Sequence, residues 1–301
     1  MNEEFERKQA TEWLVRSAQA VAERPESRVN QTVLKSALDC YRDVFAVSVS
    51  PAHTSPIPIG LRELGRNVQG YQEYENIIDG TVLVLIPGST FQMGSPIGVG
   101  DDDEHPQHEV TLSPYMIAKH EVTWSQYGKF CAATNRNLPQ RPRWNPYDTH
   151  PVVNVSWTDA KAYCAWAGLA LLTEAQWELA ARGGKQFEYG TADGKISHEL
   201  ANYYGDGTRY PNTSPVGSYP ANPYGIFDLS GNVWEWCEDG YWPYKVGPAT
   251  DPIGAVNTER RVLRGGSWYF NPVRLRSAIR SWSVPDHQDY YVGFRVARAP
   301  F

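Results

Sequence analysis

The sequence predicts an α+β protein, because strand-like and helix-like segments occur in separate blocks. Val82–Ile86 is a run of β-favouring apolar residues closed by Pro87 and Gly88, and a second strand is expected at residues 90–94. Three later segments begin with the side-chain pattern of a helix N-terminus. Beyond Gly190 the chain is rich in Gly, Pro, Asn and Tyr, which indicates loops and short strands.

The three predicted helices share a hydroxyl side chain at the first position and an acceptor side chain three residues on. Such pairs satisfy backbone amides that the first turn of a helix leaves unbonded. They are Thr123 with Gln126, Ser156 with Asp159 and Thr173 with Gln176. The helices are expected at about residues 124–134, 157–167 and 174–182. Cys131 and Cys164 fall on their apolar faces and are interpreted as core residues rather than nucleophiles.

The composition fits a folded globular chain and gives no sign of a nucleic-acid partner. Its 301 residues suffice for one large domain or two smaller ones. The net charge is -6, whereas nucleic-acid binding requires clustered Lys and Arg. The 11 Trp and 18 Tyr, against 9 Phe, indicate many rings with a polar group, which suits half-buried positions in contact with a partner.

The cysteines and the hydropathy predict a soluble, cytoplasmic protein without a membrane partner. Cys40, Cys131, Cys164 and Cys237 are widely spaced and form no CxxC pair, which favours reduced thiols. The first residues are charged rather than apolar, and no stretch reaches the length of a membrane span.

The first eighty residues are predicted to be an appendage and a connection to the main domain. Residues 1–58 comprise a helical segment, with apolar residues at helical spacing between residues 2 and 47, and a proline-containing linker at 48–58. Residues 59–80 are assigned to a connecting segment and residues 81–301 to the main domain. The helical segment is expected to dock on that domain or to mediate oligomerisation, and the oligomeric state stays open.

An acidic run at residues 95–107 contains three consecutive aspartates, 101–103, followed by Glu104. Its carboxylates can hold a hard cation, or the run can be a solvated loop, and both interpretations stay open. His105 and His108 lack a third ligand at metal spacing, so no zinc site is predicted.

A calcium site is predicted within residues 228–236, Asp-Leu-Ser-Gly-Asn-Val-Trp-Glu-Trp. Asp228 and Glu235 can supply carboxylates, while Gly231 and Val233 can turn backbone carbonyls inward. Calcium sites combine about six to eight oxygens of these kinds. The alternative is a β-turn with Asn232 in the left-handed conformation and two half-buried tryptophans.

Residues 261–298 alternate rigid sequence blocks with clusters of large, unrelated side chains. Aromatic residues mixed with short polar ones are typical of adaptable contact surfaces, so we predict a ligand-binding face here. Its residues are Tyr269, Phe270, Val273, Ile279, Ser281, Trp282, Ser283, His287, Gln288, Asp289, Tyr290 and Tyr291. The blocks between them are predicted to form a fixed frame of buried rings and hydrogen-bonded arginines. These are Trp268 and Phe294, and Arg264, Arg276, Arg280 and Arg295.

Ordered blocks along the chain resemble the formylglycine-generating enzyme, or sulfatase-modifying factor, family. They are Pro-Gly-Ser-Thr-Phe-Gln-Met-Gly at 87–94, Glu-Val-Thr at 121–123, Pro-Val-Val-Asn-Val-Ser-Trp at 151–157, Leu-Thr-Glu-Ala-Gln-Trp-Glu at 172–178, Gly-Asn-Val-Trp-Glu-Trp at 231–236, Arg-Gly-Gly-Ser-Trp at 264–268 and Gly-Phe-Arg at 293–295. The resemblance covers about residues 80–298. It implies a variant of the C-type lectin fold, with little regular structure and with the two ends of the domain close together.

The resemblance also implies bound metal. Family members bind structural calcium through the Gly-Asn-x-Trp-Glu-Trp turn, and the matching positions here are Asp228, Gly231, Val233 and Glu235. A second family calcium site begins at an Asn similar to Asn202, but the segment that follows is shorter here. That second site is left open.

One departure from the family concerns its oxidase chemistry. The oxidase members use two cysteines soon after the Gly-Gly-Ser-aromatic block to bind copper and oxidise a substrate cysteine, because copper requires soft thiolate ligands. Here that segment, residues 269–278, contains no cysteine, and none follows Cys237. We therefore expect no copper and no formylglycine-generating activity.

A second branch of the family fits the C-terminal pattern better. Residues 261–298 resemble the variable proteins of diversity-generating retroelements, in which adenines of a template repeat are randomised. An Asn codon with adenines at its first two positions can become Tyr, Phe, Ile, Val, Ser, His or Asp but never Trp or Gln. Ten of the twelve predicted face residues obey this rule, and Trp282 and Gln288 do not. The predicted function is binding of an unknown macromolecule, with a protein favoured; the alternatives are a superfamily enzyme without the cysteines and a structural scaffold.

Overall fold

The computed structural model describes residue 12 and residues 15–22, 34, 35, 37, 59–255 and 258–299. The described part is an α+β structure, which confirms the predicted class. The α-helices after residue 59 are α1 (Trp124–Thr134), α2 (Trp157–Ala167) and α3 (Glu174–Ala181). Two short 3-10 helices lie at Asp102–Glu104 and Pro272–Leu275.

The strands are short and form three sheets. In chain order they are β1 (Leu61–Arg66), β2 (Gln72–Asn76), β3 (Val82–Ile86), β4 (Ser89–Met93), β5 (His108–Leu112), β6 (Tyr115–Ala118), β7 (Ala170–Leu171), β8 (Trp234–Gly240), β9 (Ala249–Thr250), β10 (Arg261–Arg264), β11 (Ser281–Ser283), β12 (Val292–Gly293) and β13 (Val296–Arg298). The six-stranded sheet has the order β1-β2-β3-β6-β13-β7, the four-stranded sheet β11-β10-β8-β12, and the three-stranded sheet β4-β5-β9.

All three helices begin where the sequence predicted. Thr123, Ser156 and Thr173 are the N-cap residues, and each forms a reciprocal capping box with the residue three positions on. The last helix ends at Ala181, followed by two glycines with φ of 59° and 68°, a backbone region in which a side chain would be strained. Cys131 and Cys164 are buried in the core, as predicted.

Residues 59–80 form part of the large sheet rather than a connecting segment. β1 pairs with β2, and β2 pairs with β3, both antiparallel. The sequence did not predict β1 and β2 because only one face of this part of the sheet is covered. Tyr74 and Asn76 are buried, whereas much of β1 faces water. Polar residues on the open face weaken the apolar signal that marks a strand.

The N-terminal helical prediction is covered only in part by the described residues. Residues 15–22, 34, 35 and 37 are helical. The Gln19 Nε2 donates to the Ala133 carbonyl at 2.7 Å, a contact with the end of α1. The linker predicted at residues 48–58 lies outside the described residues. No helix in the described part of the chain is both long and apolar enough to cross a membrane.

The C-terminal region connects two sheets. β10 lies between β8 and β11 in the four-stranded sheet, whereas β13 lies between β6 and β7 in the six-stranded sheet. The predicted variable clusters therefore occupy loops and edges whose two ends are fixed in different sheets.

Candidate ligand-binding face

Six aromatic side chains gather at one surface of the molecule, here called the aromatic face. They are Trp144, Trp268, Tyr269, Phe270, Tyr290 and Tyr291. Tyr269 and Tyr291 are parallel with centroids 6.0 Å apart, and Tyr290 stands edge-on to both. Edge-to-face pairs of this kind are favourable ring geometries. Yet Tyr269 is 50% exposed and Tyr290 37% exposed, so the cluster faces solvent.

A concave groove with a volume of about 390 Å³ adjoins the aromatic face. Six of the twelve predicted face residues line it, namely Phe270, Ser281, Trp282, Ser283, His287 and Tyr291. The remaining walls are Trp234, Leu263, Arg274 and Val292. The volume lies within the range of sites that hold small molecules or single side chains of a partner. The structure thus brings together residues that are distant in sequence.

Trp282 lines the groove from β11 of the four-stranded sheet and is 40% exposed. The Arg260 guanidinium lies over its ring, 3.7 Å from the centroid, and the Tyr241 ring is 6.1 Å away. Stacking of a guanidinium on an indole orders both side chains without burying either.

Three further predicted residues lie beside the groove rather than in it. Val273 is exposed on the Pro272–Leu275 turn. The Gln288 Nε2 donates to Asp159 at 3.0 Å, and the Asp289 Oδ1 accepts the Tyr290 amide at 2.7 Å. Burial, followed by a hydrogen bond to Asp289, raises the pKa of Tyr291 to about 12, so its hydroxyl stays protonated.

Ile279 was predicted on the face, and the structure corrects this. Its side chain is fully buried in the hydrophobic core together with Leu263 and Val292. The physical reason is local: the Ile279 carbonyl accepts a hydrogen bond from Arg264 at 2.6 Å, which ties the backbone to the interior. The β-branched apolar side chain then fills the core beneath the groove.

Arg264 is at the centre of the fixed frame and is fully buried. Its guanidinium donates to the carbonyls of Ser277, Ala278 and Ile279 at 2.6–2.9 Å and pairs with Glu178. One arginine thereby fixes the path of the chain between two predicted clusters. Trp268 and Phe294 are buried as the sequence predicted.

The other three frame arginines each form a two-pronged pair with a glutamate. Arg276 donates to both oxygens of Glu104, Arg280 to both of Glu174, and Arg295 to both of Glu235, at 2.6–2.9 Å. Such paired contacts fix the orientation as well as the position of both groups. The frame prediction is confirmed for all four arginines.

The acidic run is attached to this frame. Burial alone would raise the pKa of the Glu104 carboxyl, but hydrogen bonds from Arg276 and Ser95 hold it below its usual range. Asp101 pairs with Arg274 at 2.8 Å, and Asp103 accepts the Tyr241 hydroxyl at 2.6 Å. The carboxylates of residues 101, 103 and 104 lie within 4.8 Å of one another, yet each already has a cationic or hydroxyl partner. A fully solvated loop does not describe this segment.

Two of the predicted calcium residues, Asp228 and Glu235, are buried near a third carboxylate, Glu121, which was not predicted from the sequence. Both Glu235 oxygens are held by Arg295, and one also accepts the Trp177 indole. The Asp228 Oδ2 accepts the Gly217 amide at 2.7 Å. The Glu121 Oε1 accepts the Asn232 side-chain amide at 3.1 Å, whereas its Oε2 is buried and has no hydrogen-bond partner among the described residues.

The electrostatics of this site favour a cation. Burial, followed by the charge of Asp228, raises the pKa of Glu121 well above its usual range. Burial raises the pKa of Asp228 to about 6, although the Gly217 amide opposes the shift. Asn232 adopts φ of 59°, as the alternative interpretation had it, but Trp234 and Trp236 are buried rather than half-buried. The Glu-Val-Thr block contains Glu121, but nothing in that block shows that its carboxylate lies near Asp228.

Two aromatic residues, one in the aromatic face and one beside it, were not among the predicted binding residues. Trp144 contacts Trp268 and Tyr290, with centroids 5.4 Å and 5.7 Å apart. The exposed Tyr204 donates its amide to the Phe270 carbonyl at 3.0 Å. Both lie in loops that are distant from the C-terminal region in sequence. The one sequence signal for a contact role was an aromatic residue in a segment that contains proline or glycine.

With this geometry in place, sequence comparison identifies the family. The chain matches the sulfatase-modifying factor enzyme 1-like domain over residues 72–300, and it belongs to this family. The formylglycine-generating enzyme of Thermomonospora curvata is 34% identical over 286 residues, covering 72% of this chain and 93% of that enzyme. The match begins at the first residue of β2, inside the segment that the sequence had assigned to a connection.

Solved structures show the same architecture. PvdO from Pseudomonas aeruginosa has a TM-score of 0.69 and 31% identity, covering 75% of this chain and 97% of PvdO. Treponema denticola variable protein 1 has a TM-score of 0.63 and 22% identity, covering 82% of this chain and all of that one, 100%. The fold is the C-type lectin variant of the formylglycine-generating enzyme type, as the resemblance implied.

Proposed function

We propose that this chain is a binding protein that presents a diversified C-terminal surface to a macromolecular ligand, as variable proteins of diversity-generating retroelements do. The observation that carries the proposal is the aromatic face: Tyr269 and Tyr290 stand exposed in a C-terminal region whose arginines are paired with buried glutamates. Hydrophobicity alone would bury such rings. Exposed apolar patches bordered by polar residues mark interaction sites.

A protein is the favoured ligand because of the composition of the face. Tyr and Trp give a large contact area at low entropic cost, and Ser, His and Gln add adaptable hydrogen bonds. The groove beside the face can receive one or two side chains of a partner, which is how buried anchors dock in protein interfaces. The surrounding rings then provide the broad contact area.

The frame supports the diversification part of the proposal. Arg264, Arg276, Arg280 and Arg295 contact carboxylates and backbone carbonyls in the interior, and none of these partners is a side chain of the aromatic face. Substitutions in the face therefore leave the frame contacts intact. A surface that tolerates many sequences needs one set of residues to stabilise the fold and a different set to contact the ligand.

Thiol-dependent oxidase chemistry has weak support in this chain. Cys131, Cys164 and Cys237 are buried, and burial raises the pKa of each thiol. A protonated, buried thiol is neither a nucleophile nor a copper ligand. Among the described residues that line the groove there is no cysteine, so the donor set there does not fit copper.

The groove also lacks, among its described residues, the hydrogen bonds that a nucleophilic catalytic site usually has. Such sites join a hydroxyl to a base and the base to an orienting group. His287 lies 3.7 Å from Asp289, but among the described residues the hydroxyls of Ser281 and Ser283 are not bonded to His287. This favours binding over catalysis.

The DNA beside the gene gives the direct test. We expect a repeat downstream that nearly matches the codons of residues 261–298 and differs from them only at adenines, together with a reverse-transcriptase gene. Sequencing that region from the source genome makes the comparison. Differences at positions other than adenine, or no repeat at all, would remove the diversification part of the proposal.

We also propose a structural calcium ion at the buried acidic site. Asp228, Glu121 and the carbonyls of Gly231 and Val233 would hold it, with Glu235 as a neighbour already paired with Arg295. The ion would neutralise the buried carboxylates and tie the loops together. The unpartnered Glu121 Oε2 supports this fit.

Removal of calcium should then lower the melting temperature. A ligand at a hundredfold excess over its dissociation constant stabilises the fold by about 2.7 kcal/mol. Chelator should shift the melting temperature of the native chain and leave Glu121→Gln unaffected, because that variant loses a ligand. Glu235→Gln is a poor probe, since it also breaks the Arg295 pair. Equal melting temperatures with and without chelator would contradict the calcium proposal.

A further inference from the structure

A second cavity, separate from the groove, lies between residues 241–255 and the N-terminal end of α3. Its volume is about 880 Å³, and none of its lining residues lines the groove. Much of the lining is apolar, including Met93, Ala175, Val246, Pro248 and Ile253. Ligand sites for small molecules have volumes of about 300–1,000 Å³ and mainly apolar walls with a few polar groups.

Asp239 is a buried carboxylate in this wall that forms no ion pair with any described residue. The side chain is 4% exposed. Its Oδ2 accepts the Glu174 amide at 2.8 Å, and its Oδ1 accepts the Gly254 amide at 2.6 Å. A carboxylate offers about four acceptor positions, so the two amides leave room for another donor. Across the described part of the chain, no Lys, Arg or His forms an ion pair with Asp239.

The other buried charges around the cavity are compensated. Glu174 is paired with Arg280 through both oxygens, and Arg280 also stacks over the Tyr244 ring at 4.0 Å. Burial, followed by the charge of Glu174 and with a smaller effect of Glu238, raises the pKa of Asp239 to about 7. Ionised Asp239 is therefore costly in the isolated chain, and a nearby cation would offset that cost.

We propose that this cavity binds a small organic cation: an ammonium group against the Asp239 carboxylate, and an apolar or aromatic body among the side chains of residues 242–255. Trp242 lines the cavity and is exposed, so its ring is available to a ligand. An anionic ligand would meet the uncompensated Asp239 carboxylate, whereas Arg280 in the same lining is already paired with Glu174 and Lys245 is exposed. A neutral ligand of the same shape would leave the buried charge uncompensated.

Titration calorimetry on the full chain at pH 8, where Asp239 is ionised, tests the proposal with three matched probes. We expect 2-phenylethylamine to bind, 2-phenylethanol to bind at least tenfold more weakly, and phenylacetate not to bind. Asp239→Asn should lower the affinity for the amine at least tenfold. Glu259→Gln makes the same change in net charge at an exposed site away from the cavity and should leave the affinity unchanged.

Three results would overturn the proposal: no heat of binding with the amine at millimolar concentration, equal affinity for the amine and the alcohol, or an undiminished affinity in a folded Asp239→Asn variant. The probe series uses the unmodified chain, so the comparison stands even where the variant does not fold. Circular dichroism of the variant checks its fold before the titration.

Discussion

At the scale of single residues, the C-terminal region buries charged side chains and exposes aromatic and apolar ones, the reverse of the usual distribution. Arg264 and Arg295 have no solvent exposure, whereas Tyr269 is half exposed and Val273 protrudes from a short turn. Arginine is among the residues least often buried, and burial is tolerated only with paired, hydrogen-bonded partners. A fixed interior beneath exposed rings is the arrangement that the proposed binding function requires.

The two tryptophans of the C-terminal region should respond differently to truncation. Trp268→Ala removes a buried ring and should cost roughly 3–5 kcal/mol, the usual loss for a large aromatic side chain. Trp282→Ala removes an exposed ring and its stacking with Arg260, worth about 1 kcal/mol or less. Urea unfolding of both variants measures the difference. If Trp282→Ala proves the more destabilising, the exposed rings belong to the core and the binding-face interpretation fails.

Asp239 should make the stability of the chain depend on pH. Its folded pKa of about 7 lies above the value of 3.8 expected for an unfolded Asp, so the folded state binds the proton more tightly. The resulting stabilisation is fully present below pH 3.8 and is lost as the pH rises through 7. Asp239→Asn should abolish this contribution, on the order of 4 kcal/mol between the two limits. Unfolding free energies at pH 5 and pH 8, with Glu259→Gln as the control, test it; parallel pH profiles would contradict it.

At the scale of elements, the sequence predicted what local chemistry decides. The three helix starts follow from side chains that bond their own first turn, so positions 123, 156 and 173 could be read directly. β7, β9 and β12 have two residues each and exist only through pairing with distant strands. No periodicity can develop over two residues, which is why these strands were not predicted.

The acidic 3-10 turn offers a test of how firmly the frame holds an element. Glu104→Gln should leave Arg276 as a buried, unpaired cation and cost about 3–5 kcal/mol. Asp102→Asn makes the same charge change in the same turn at an exposed side chain and should stay within about 0.5 kcal/mol. Thermal unfolding of the two variants compares them directly. Similar losses of stability in the two variants would show that the negative charge of the turn, and not the ion pair of Glu104 with Arg276, stabilises it.

At the scale of the whole molecule, the sequence defined the face better than the buried sites. Eleven of the twelve predicted face residues are at least partly exposed, and the exception, Ile279, was misplaced because codon variability does not reveal the direction of a side chain. Glu121 and Trp144 reach their sites from distant loops. Long-range approach of that kind has no local signature, so three-dimensional structure was needed to find it.

The whole chain should lack formylglycine-generating activity. With copper supplied, a peptide containing Cys-x-Pro-x-Arg should not be converted to the aldehyde, because the three described thiols are buried and protonated. Mass spectrometry of the peptide after incubation detects the product, and the Thermomonospora curvata enzyme serves as the positive control. Accumulation of aldehyde with this chain would restore the enzyme alternative.

The position of β13 makes the fold depend on complete translation of residues 269–291. This strand follows every predicted variable cluster in the chain, and it lies between β6 and the edge strand β7 of the six-stranded sheet. A stop codon or a shift of reading frame anywhere in residues 269–291 removes it and leaves two strands without their neighbour. If these codons vary as proposed, translation must read through all of them before the six-stranded sheet is complete, so a truncated product is expected not to fold.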